Sequence, residues 1–302
     1  MISDEQTAFY RENGYLIVED AIDPTDLAEM QQVTRDFIER SRAVTESNDI
    51  FDLDRGHSAD NPRLTRIKLP HLRHPVFDRV MRSDRLMSIL RPLLGDDIRL
   101  HTSKLNTKAP GGGAAVEWHQ DWAFYPHTND DMLAVGIMLD DVAEENGPLM
   151  VIPGSHRGPV LSHFSGGVFC GAVDPGDPDF DLSKAVTLTG RAGSLSLHHV
   201  RLLHGSAPNR SERPRMLLFY ECGAADAWPI NGIAGGYTGL PQLDLWKKMQ
   251  DNIMSGHQTA VARLEKVPAV MPVPPAPDSS SIFKVQESGG AKSAFAGAAV
   301  AG

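Results

Sequence analysis

The chain of 302 residues changes character near residue 97. Before that point apolar residues recur at helical spacing; after it they come in short runs separated by Gly, Pro and Asn, the pattern of strands and turns. Ser3-x-x-Gln6 followed by Gly14 predicts a helix over residues 4–13, opened by a capping box and closed by glycine. "YLIVE" predicts a short strand. Asp23 as cap and Pro24 in the first turn begin a second helix, on which Leu27, Met30, Val33, Phe37 and Ile38 share one face. "HPVFDRVMRSDRLMSILRPLLG" predicts a third helix, ended by Pro92 and Gly95. The later runs "IRLHTSKLNTK", "MLAVGIMLDD", "LMVIP", "GSLSLHH" and "RMLLFYECG" predict strands, and Asn146-Gly147 between two of them predicts a hairpin. Helices first and strands after give an α+β, mainly β chain, with a β-sandwich or jelly-roll core buttressed by the N-terminal helices.

One domain is expected over residues 1–265. It comprises a helical buttress to about 95, the jelly-roll core over about 96–225 and a helical extension over about 226–265, with its helix at 242–256. Residues 266–302 are expected to be a Pro-rich linker ("VPAVMPVPPAPDSSS") and a disordered tail of Ala, Gly and Ser. The Gly-, Asp-, Pro- and His-rich segment at about 154–185 is long for a connection in a compact domain and is expected to be a lid over a pocket. A formal net charge of -10 argues against nucleic acid and anionic membrane surfaces as partners. No apolar stretch reaches membrane-spanning length, and "MISDEQTAFY" has neither the basic region nor the apolar run of a secretory signal. Two cysteines, Cys170 and Cys222, exclude a disulfide framework and a Cys-based zinc site. The expectation is a cytoplasmic protein, monomer or homodimer, whose partner is a small molecule.

The chemistry-bearing stretch is "EWHQDWAFYPHTND". His119 and Asp121 are separated by one residue, so in an extended strand their side chains point the same way. With 12 His in the chain, one such pair is about what chance supplies, and the plain alternative is a polar strand end. The context lies in "HHVRLLHGSAPNRSERPRMLLFYECG". His204 supplies a third donor, and two His with one carboxylate leave three positions of a metal open, the facial arrangement of non-haem iron(II) oxygenases. Arg215 opens the next strand; a buried guanidinium fork suits the far carboxylate of a dicarboxylic co-substrate, with Ser206 as a second donor. The plain alternative for Arg215 is an ordinary salt bridge. His199 competes with His204, since Arg210 follows it at the same interval, but Arg210 sits in the "APNRSERP" turn. His198 and His199 therefore read as pocket-wall or core residues. Trp122, Phe124, Tyr125 and Trp228 are candidates for the substrate pocket. His156, Arg157, His163 and Arg201 are candidates for holding a carboxylate or phosph(on)ate.

"WHQDWAFYPHTNDDMLAVGIMLDD", "ENGPLMVIPGSHRG" and "HGSAPNRS…RPRMLLFY" resemble the phytanoyl-CoA dioxygenase family, iron(II)- and 2-oxoglutarate-dependent oxygenases built on a double-stranded, cupin-like β-helix. The resemblance runs from about residue 5 to about 228 and is dense between 104 and 222. It implies that His119, Asp121 and His204 bind iron and that Ser206 and Arg215 hold the distal carboxylate of 2-oxoglutarate. It also implicates the strand "SKLNTK", where Lys104, Asn106 and Lys108 alternate onto one face. Lys104 stands where relatives have a Met that contacts the co-substrate, and Arg66 falls near a Lys that some relatives use. The implied reaction consumes 2-oxoglutarate and O2, releases succinate and CO2, and hydroxylates an unactivated C–H bond of a small-molecule metabolite. Related halogenases lack the carboxylate, so Asp121 favours hydroxylation. Two other readings stay open: a non-catalytic metal-binding jelly-roll sensor, and a zinc hydrolase, which has no use for Arg215 and would need a general-base motif such as H-E-x-x-H.

Overall fold

The computed structural model describes residues 1–112, 115–230, 241–270 and 274–295. Helix α1 (Asp4–Asn13) is opened by Ser3, whose hydroxyl accepts from the Gln6 N–H at 3.1 Å while the Gln6 side chain accepts from the Ser3 N–H at 2.9 Å. It ends at Gly14, at φ 77°, where a Cβ would lie 2.5 Å from His156 Nδ1. Strand β1 (Tyr15–Val18) follows, then α2 (Pro24–Arg40), capped by Asp23 accepting from the Thr25 N–H at 2.8 Å.

The third helix expected from sequence is two, α3 (Pro75–Met81) and α4 (Asp84–Leu94). Ser83 makes the break: its hydroxyl donates to Val80 O at the end of α3 and accepts from the Leu86 N–H at the start of α4. A short polar side chain that can bond the backbone prefers this cap to a helix interior. Pro92 does not end α4; it lies inside the last turn, and Gly95 closes the helix by donating to Arg91 O.

The remaining strands, in chain order, are β2 (Phe51–Leu53), β3 (Leu64–Lys68), β4 (Ile98–Lys108), β5 (Val116–His119), β6 (Met132–Met138), β7 (Leu149–Val151), β8 (Phe164–Ser165), β9 (Val168–Phe169), β10 (Val186–Leu188), β11 (Leu195–His199), β12 (His204–Ser206), β13 (Arg215–Ala224) and β14 (Ile253–Ser255). Among the described residues they form two main antiparallel sheets. The larger runs β1-β11-β6-β13-β4-β3-β2 with β14 beside β4, the smaller β10-β7-β12-β5, and β8 pairs with β9 as a ribbon. Asn146-Gly147 is therefore not a hairpin. β6 already has β11 and β13 on its two sides, so the chain crosses to the smaller sheet to start β7. The turn is satisfied internally, with the Asn146 side chain accepting from the Ala143 N–H and donating to Asp141 O.

Alternation along the larger sheet separates two environments. Met216, Leu218, Tyr220 and Cys222 of β13 join the core beneath α1–α4, where each large apolar side chain contributes about 1.5–3 kcal/mol of burial. The Tyr220 hydroxyl donates to Phe77 O at 2.6 Å and ties this face to α3. Arg215, Leu217 and Phe219, the alternate residues, line a cavity bounded on its other side by the smaller sheet.

Helix α5 (Gln242–Asp251) stops short of residue 256 because β14 takes over and pairs with β4. The segment expected to be linker and tail is structured over 274–295: it carries α6 (Ile282–Ser288) and returns to β5. Its few polar and apolar side chains find partners on the domain, which composition alone does not reveal. Residues 271–273 and 296–302 of that expectation lie outside the described residues. No helix among the described residues is long and apolar enough to cross a membrane.

Candidate metal and co-substrate site

β5 and β12 are neighbours, and their register sets His119 opposite His204. Asp121 follows in a 3-10 turn, Asp121–Ala123. One donor atom from each of the three lies within 4.8 Å of the others. His119 Nε2 is 3.6 Å and His204 Nε2 3.9 Å from Asp121 Oδ1. Donors about 2.1 Å from one ion and roughly 90–120° apart lie about 3–3.6 Å from each other, so a slight contraction closes this set on a single metal. Both rings are held for that purpose: His119 Nδ1 donates to Glu117 O at 2.8 Å and His204 Nδ1 to Leu202 O at 2.9 Å, which leaves each Nε2 bare and facing inward.

The charge states agree. Burial, with His119 and His198 beside it, holds His204 well below the ordinary imidazole range, hence neutral. Burial works to raise the Asp121 carboxyl, but Lys104 and His204 outweigh it and hold the group well below the usual carboxylate range. Two inward-facing imidazole nitrogens around a buried carboxylate form a donor set for a divalent cation. His198 stands next to them, Nε2 3.5 Å from Asp121 Oδ2, and neither of its ring nitrogens makes a hydrogen bond.

The far end of the cavity has the opposite imbalance. Register places Lys108 of β4 opposite Arg215 of β13, both buried. The Lys108 ammonium donates to Ser206 Oγ at 2.8 Å, and to the Ser206 and Ala207 carbonyls. Arg215 donates from Nη2 to Gly147 O at 2.9 Å, and its Nε has no partner. Among the described residues neither cation forms an ion pair. Burial and the neighbouring guanidinium push the Lys108 amine well below its ordinary range; burial lowers Arg215 to about 10, opposed by Asp140. Like charges directly across an antiparallel pair are destabilising, and buried unpaired charge is costlier still. Such a pair fits an anion brought from outside.

The cavity between these ends is narrow, about 40 Å³. His119, Asp121, His204, Ser206, Arg215, Lys104, Asn106 and His198, all singled out from sequence, line it. Lys104 pairs with Glu221 and lies 5.7 Å from the Phe219 ring; Asn106 Oδ1 is buried without a partner. Other candidates fall elsewhere. Arg66 pairs with Asp52 at 2.6 Å and lines an adjoining cleft with Phe124 and Tyr125. Trp122 packs in a core cluster with Tyr125 and Met132, its indole N–H donating to Pro268 O at 2.5 Å. Trp228 sits under Arg99 in a separate groove beside α5. The strand alternation assumed for residues after His119 fails because the chain turns there into the 3-10 segment.

Three of the proposed anion binders have partners of their own, and Arg157 lines a separate surface groove beside α1. His163 Nε2 accepts from the Gln120 N–H, Arg201 pairs with Asp130 at 2.8 Å, and His156 lies against His199. No residue of 154–185 lines the cavity; Ile282 and Phe283 do. Lys108 was legible only as a member of the inward face of its strand. Its opposition to Arg215 needs the register of two strands more than a hundred residues apart.

The sequence matches the family described as phytanoyl-CoA dioxygenase (PhyH) over residues 10–217. It is 37% identical over 286 residues to a protein of Stutzerimonas stutzeri named probable alpha-ketoglutarate-dependent hypophosphite dioxygenase, covering 93% of this chain and 96% of that one. It is 30% identical over 241 residues to the ectoine dioxygenase of Bordetella bronchiseptica, covering 72% and 74%. Among solved structures, EctD from S. alaskensis with bound Fe aligns with a TM-score of 0.62 at 27% identity, covering 74% of this chain and 77% of that chain. EctD with 2-oxoglutarate and 5-hydroxyectoine aligns at 0.60 and 26% identity, covering 88% of each.

Proposed function

The chain belongs to the phytanoyl-CoA dioxygenase family and is an iron- and 2-oxoglutarate-dependent dioxygenase; on that premise we propose that it hydroxylates an unactivated C–H bond of a small polar metabolite, within a double-stranded β-helix. The balanced reaction is R–H + 2-oxoglutarate + O2 → R–OH + succinate + CO2. Iron(II) supplies the oxidising chemistry when 2-oxoglutarate and O2 are bound. His119, Asp121 and His204 would hold it, each offering one donor atom within 4.8 Å of the others. The Arg215 fork, the Lys108 ammonium and the Ser206 hydroxyl hold the distal carboxylate of 2-oxoglutarate, which fixes the direction in which its other end lies. Lys104, Phe219 and His198 form the wall near the metal, where the substrate rests.

One observation carries this reading: two buried cations face each other without an anion in the same cavity as a His-Asp-His cluster. A zinc hydrolase has no use for that pair. A sensor would bind the same ligands without turnover. The test is succinate formation with iron(II), ascorbate, O2 and 2-oxoglutarate, with and without candidate substrates. Iron-loaded protein that gives no anaerobic charge-transfer band with 2-oxoglutarate and no succinate refutes the proposal. A second reading replaces the C–H bond by the P–H bond of a small phosphorus oxyanion. It is favoured by the 37% identity to the Stutzerimonas stutzeri protein. Hypophosphite-dependent succinate formation with release of phosphite distinguishes the two.

A further inference from the structure

Among the described residues, the segment carrying α6 and the 3-10 turn that carries Asp121 supply the cavity wall from outside the two sheets. The α6 segment sits on β5, the strand that ends at His119 and the outermost strand of the smaller sheet. Gln286, buried, acts there as a surrogate strand: its side-chain carbonyl accepts from the Glu117 N–H at 3.0 Å, and its amide donates to Glu117 O at 3.3 Å and Gly171 O at 3.0 Å. Backbone groups that a sheet edge leaves open are thereby satisfied. The Glu117 carboxylate accepts from Ser293 Oγ at 2.6 Å and the Ala294 N–H at 2.9 Å, and Phe295 stacks on Trp118. Four and three residues before Gln286, at the start of α6, Ile282 and Phe283 reach the cavity that holds the metal cluster and the cation pair.

A tail that served stability alone would bury its apolar residues in a core cluster, as Phe295 does beside Trp118. Ile282 and Phe283 instead border open space shared with ionisable groups. Ile282 also lines the cleft that adjoins the cavity at Lys104 and Asp121, so this residue stands where the two meet. We propose that Ile282 and Phe283 are specificity-determining residues that set the size of ligand admitted beside the iron, and that Gln286 is the positioning residue that latches them to β5. The segment at 154–185 serves as the latch's seat through Gly171. The proposal rests on the cavity being the iron and 2-oxoglutarate site.

Phe283→Ala, Gln286→Ala and Gly289→Val separate the alternatives. At Gly289 a Cβ would lie 2.8 Å from Cys170 Cα, so a larger residue lifts the segment without deleting a wall side chain. Each iron(II)-loaded full-length variant is titrated anaerobically with 2-oxoglutarate and with pyridine-2,4-dicarboxylate, a bulkier chelating dicarboxylate, following the charge-transfer band and the thermal unfolding temperature. Phe283→Ala should leave the 2-oxoglutarate Kd within about twofold, because the Arg215 end is untouched, and tighten the bulkier chelator about tenfold or more. Gln286→Ala and Gly289→Val should shift the ratio of the two affinities in the same direction. An unchanged ratio in all three variants overturns the proposal, as does equal weakening of both ligands with a lowered unfolding temperature, the mark of a merely structural segment. If wild-type protein binds iron but forms no band with either chelator, the functional reading fails and takes the proposal with it. A band with an unchanged ratio removes the wall alone.

Discussion

Lys104 and Lys108 are the same residue type on one strand and one face, four positions apart, yet they live under opposite electrostatics. Lys104 pairs with Glu221; burial opposes its charge, but Glu221 and Asp121 outweigh burial and hold its amine above the ordinary value. Lys108 faces Arg215 and finds only hydroxyl and carbonyl oxygens, and its amine is pushed down. The protein has thus completed its own neutralisation at the metal end and left it undone at the far end. A buried charge already paired is structure; a buried charge left unpaired is a binding site.

The largest expected effect breaks the finished pair. Lys104→Met leaves Glu221 buried and unneutralised and should cost about 3–5 kcal/mol in urea denaturation of the iron-free protein. Much of that loss should return in Lys104→Met/Glu221→Gln. A stability loss below about 1 kcal/mol would mean that the pair is solvated and the contrast between the two ends is overdrawn.

Next comes the unfinished end. Arg215→Ala should weaken 2-oxoglutarate by about two to three orders of magnitude, at 1.4 kcal/mol per decade, in anaerobic titration of the iron(II) protein. Iron binding should persist, and Arg215→Lys should rescue in part, since a point charge cannot make the paired fork contact. An unchanged Kd removes Arg215 as the anchor.

Lys108→Met sharpens the contrast by sign. It should leave iron-free stability within about 1 kcal/mol of wild type, because it removes a like-charge opposition, while weakening 2-oxoglutarate by roughly one order of magnitude. A loss matching that of Lys104→Met would erase the difference between the lysines.

The smallest effect is a slope. Burial and Arg215 push the Lys108 amine down in the ligand-free protein, whereas a bound carboxylate favours its charged form, so binding draws a proton onto it once pH exceeds the depressed pKa. Affinity for 2-oxoglutarate should therefore fall as pH rises above that pKa, by at most about tenfold per unit, and the slope should flatten in Lys108→Met. Titrations of 2-oxoglutarate at a series of pH values, in wild type and Lys108→Met side by side, measure it.

Sequence carried further at the local level than at the long-range one. The capping box at Ser3 and Gln6, the Asp23 cap and the strand Ile98–Lys108 each depend on neighbours within a few residues, and each stands in the structure as read. His119, Asp121 and His204 were legible as a constellation because a short spacing and a motif with a fixed interval to an arginine both lie in the chain itself. What failed needed partners far away. The turn at Asn146-Gly147 looks like a hairpin until β6 is seen flanked on both sides. Trp122, Phe124 and Tyr125 are equally close to the metal pair in sequence, and only the 3-10 turn after Gln120 decides that Trp122 packs in a core cluster while Phe124 and Tyr125 line the cleft beside Asp121. The tail read as disordered because its apolar residues are sparse, and sparse residues order a segment only if the surface beneath supplies the rest.

The cation pair and the metal donors grow from different sheets: Lys108 and Arg215 from the larger, His119 and His204 from the smaller. Under the proposed function, the co-substrate is then a strut between two layers, anchored at one end by charge and at the other by coordination. Loss of CO2 shortens that strut by one carbon while the layers keep the spacing their own packing dictates. Under that proposal succinate is one carbon too short to span both layers at once, so the product meets one end of the site or the other.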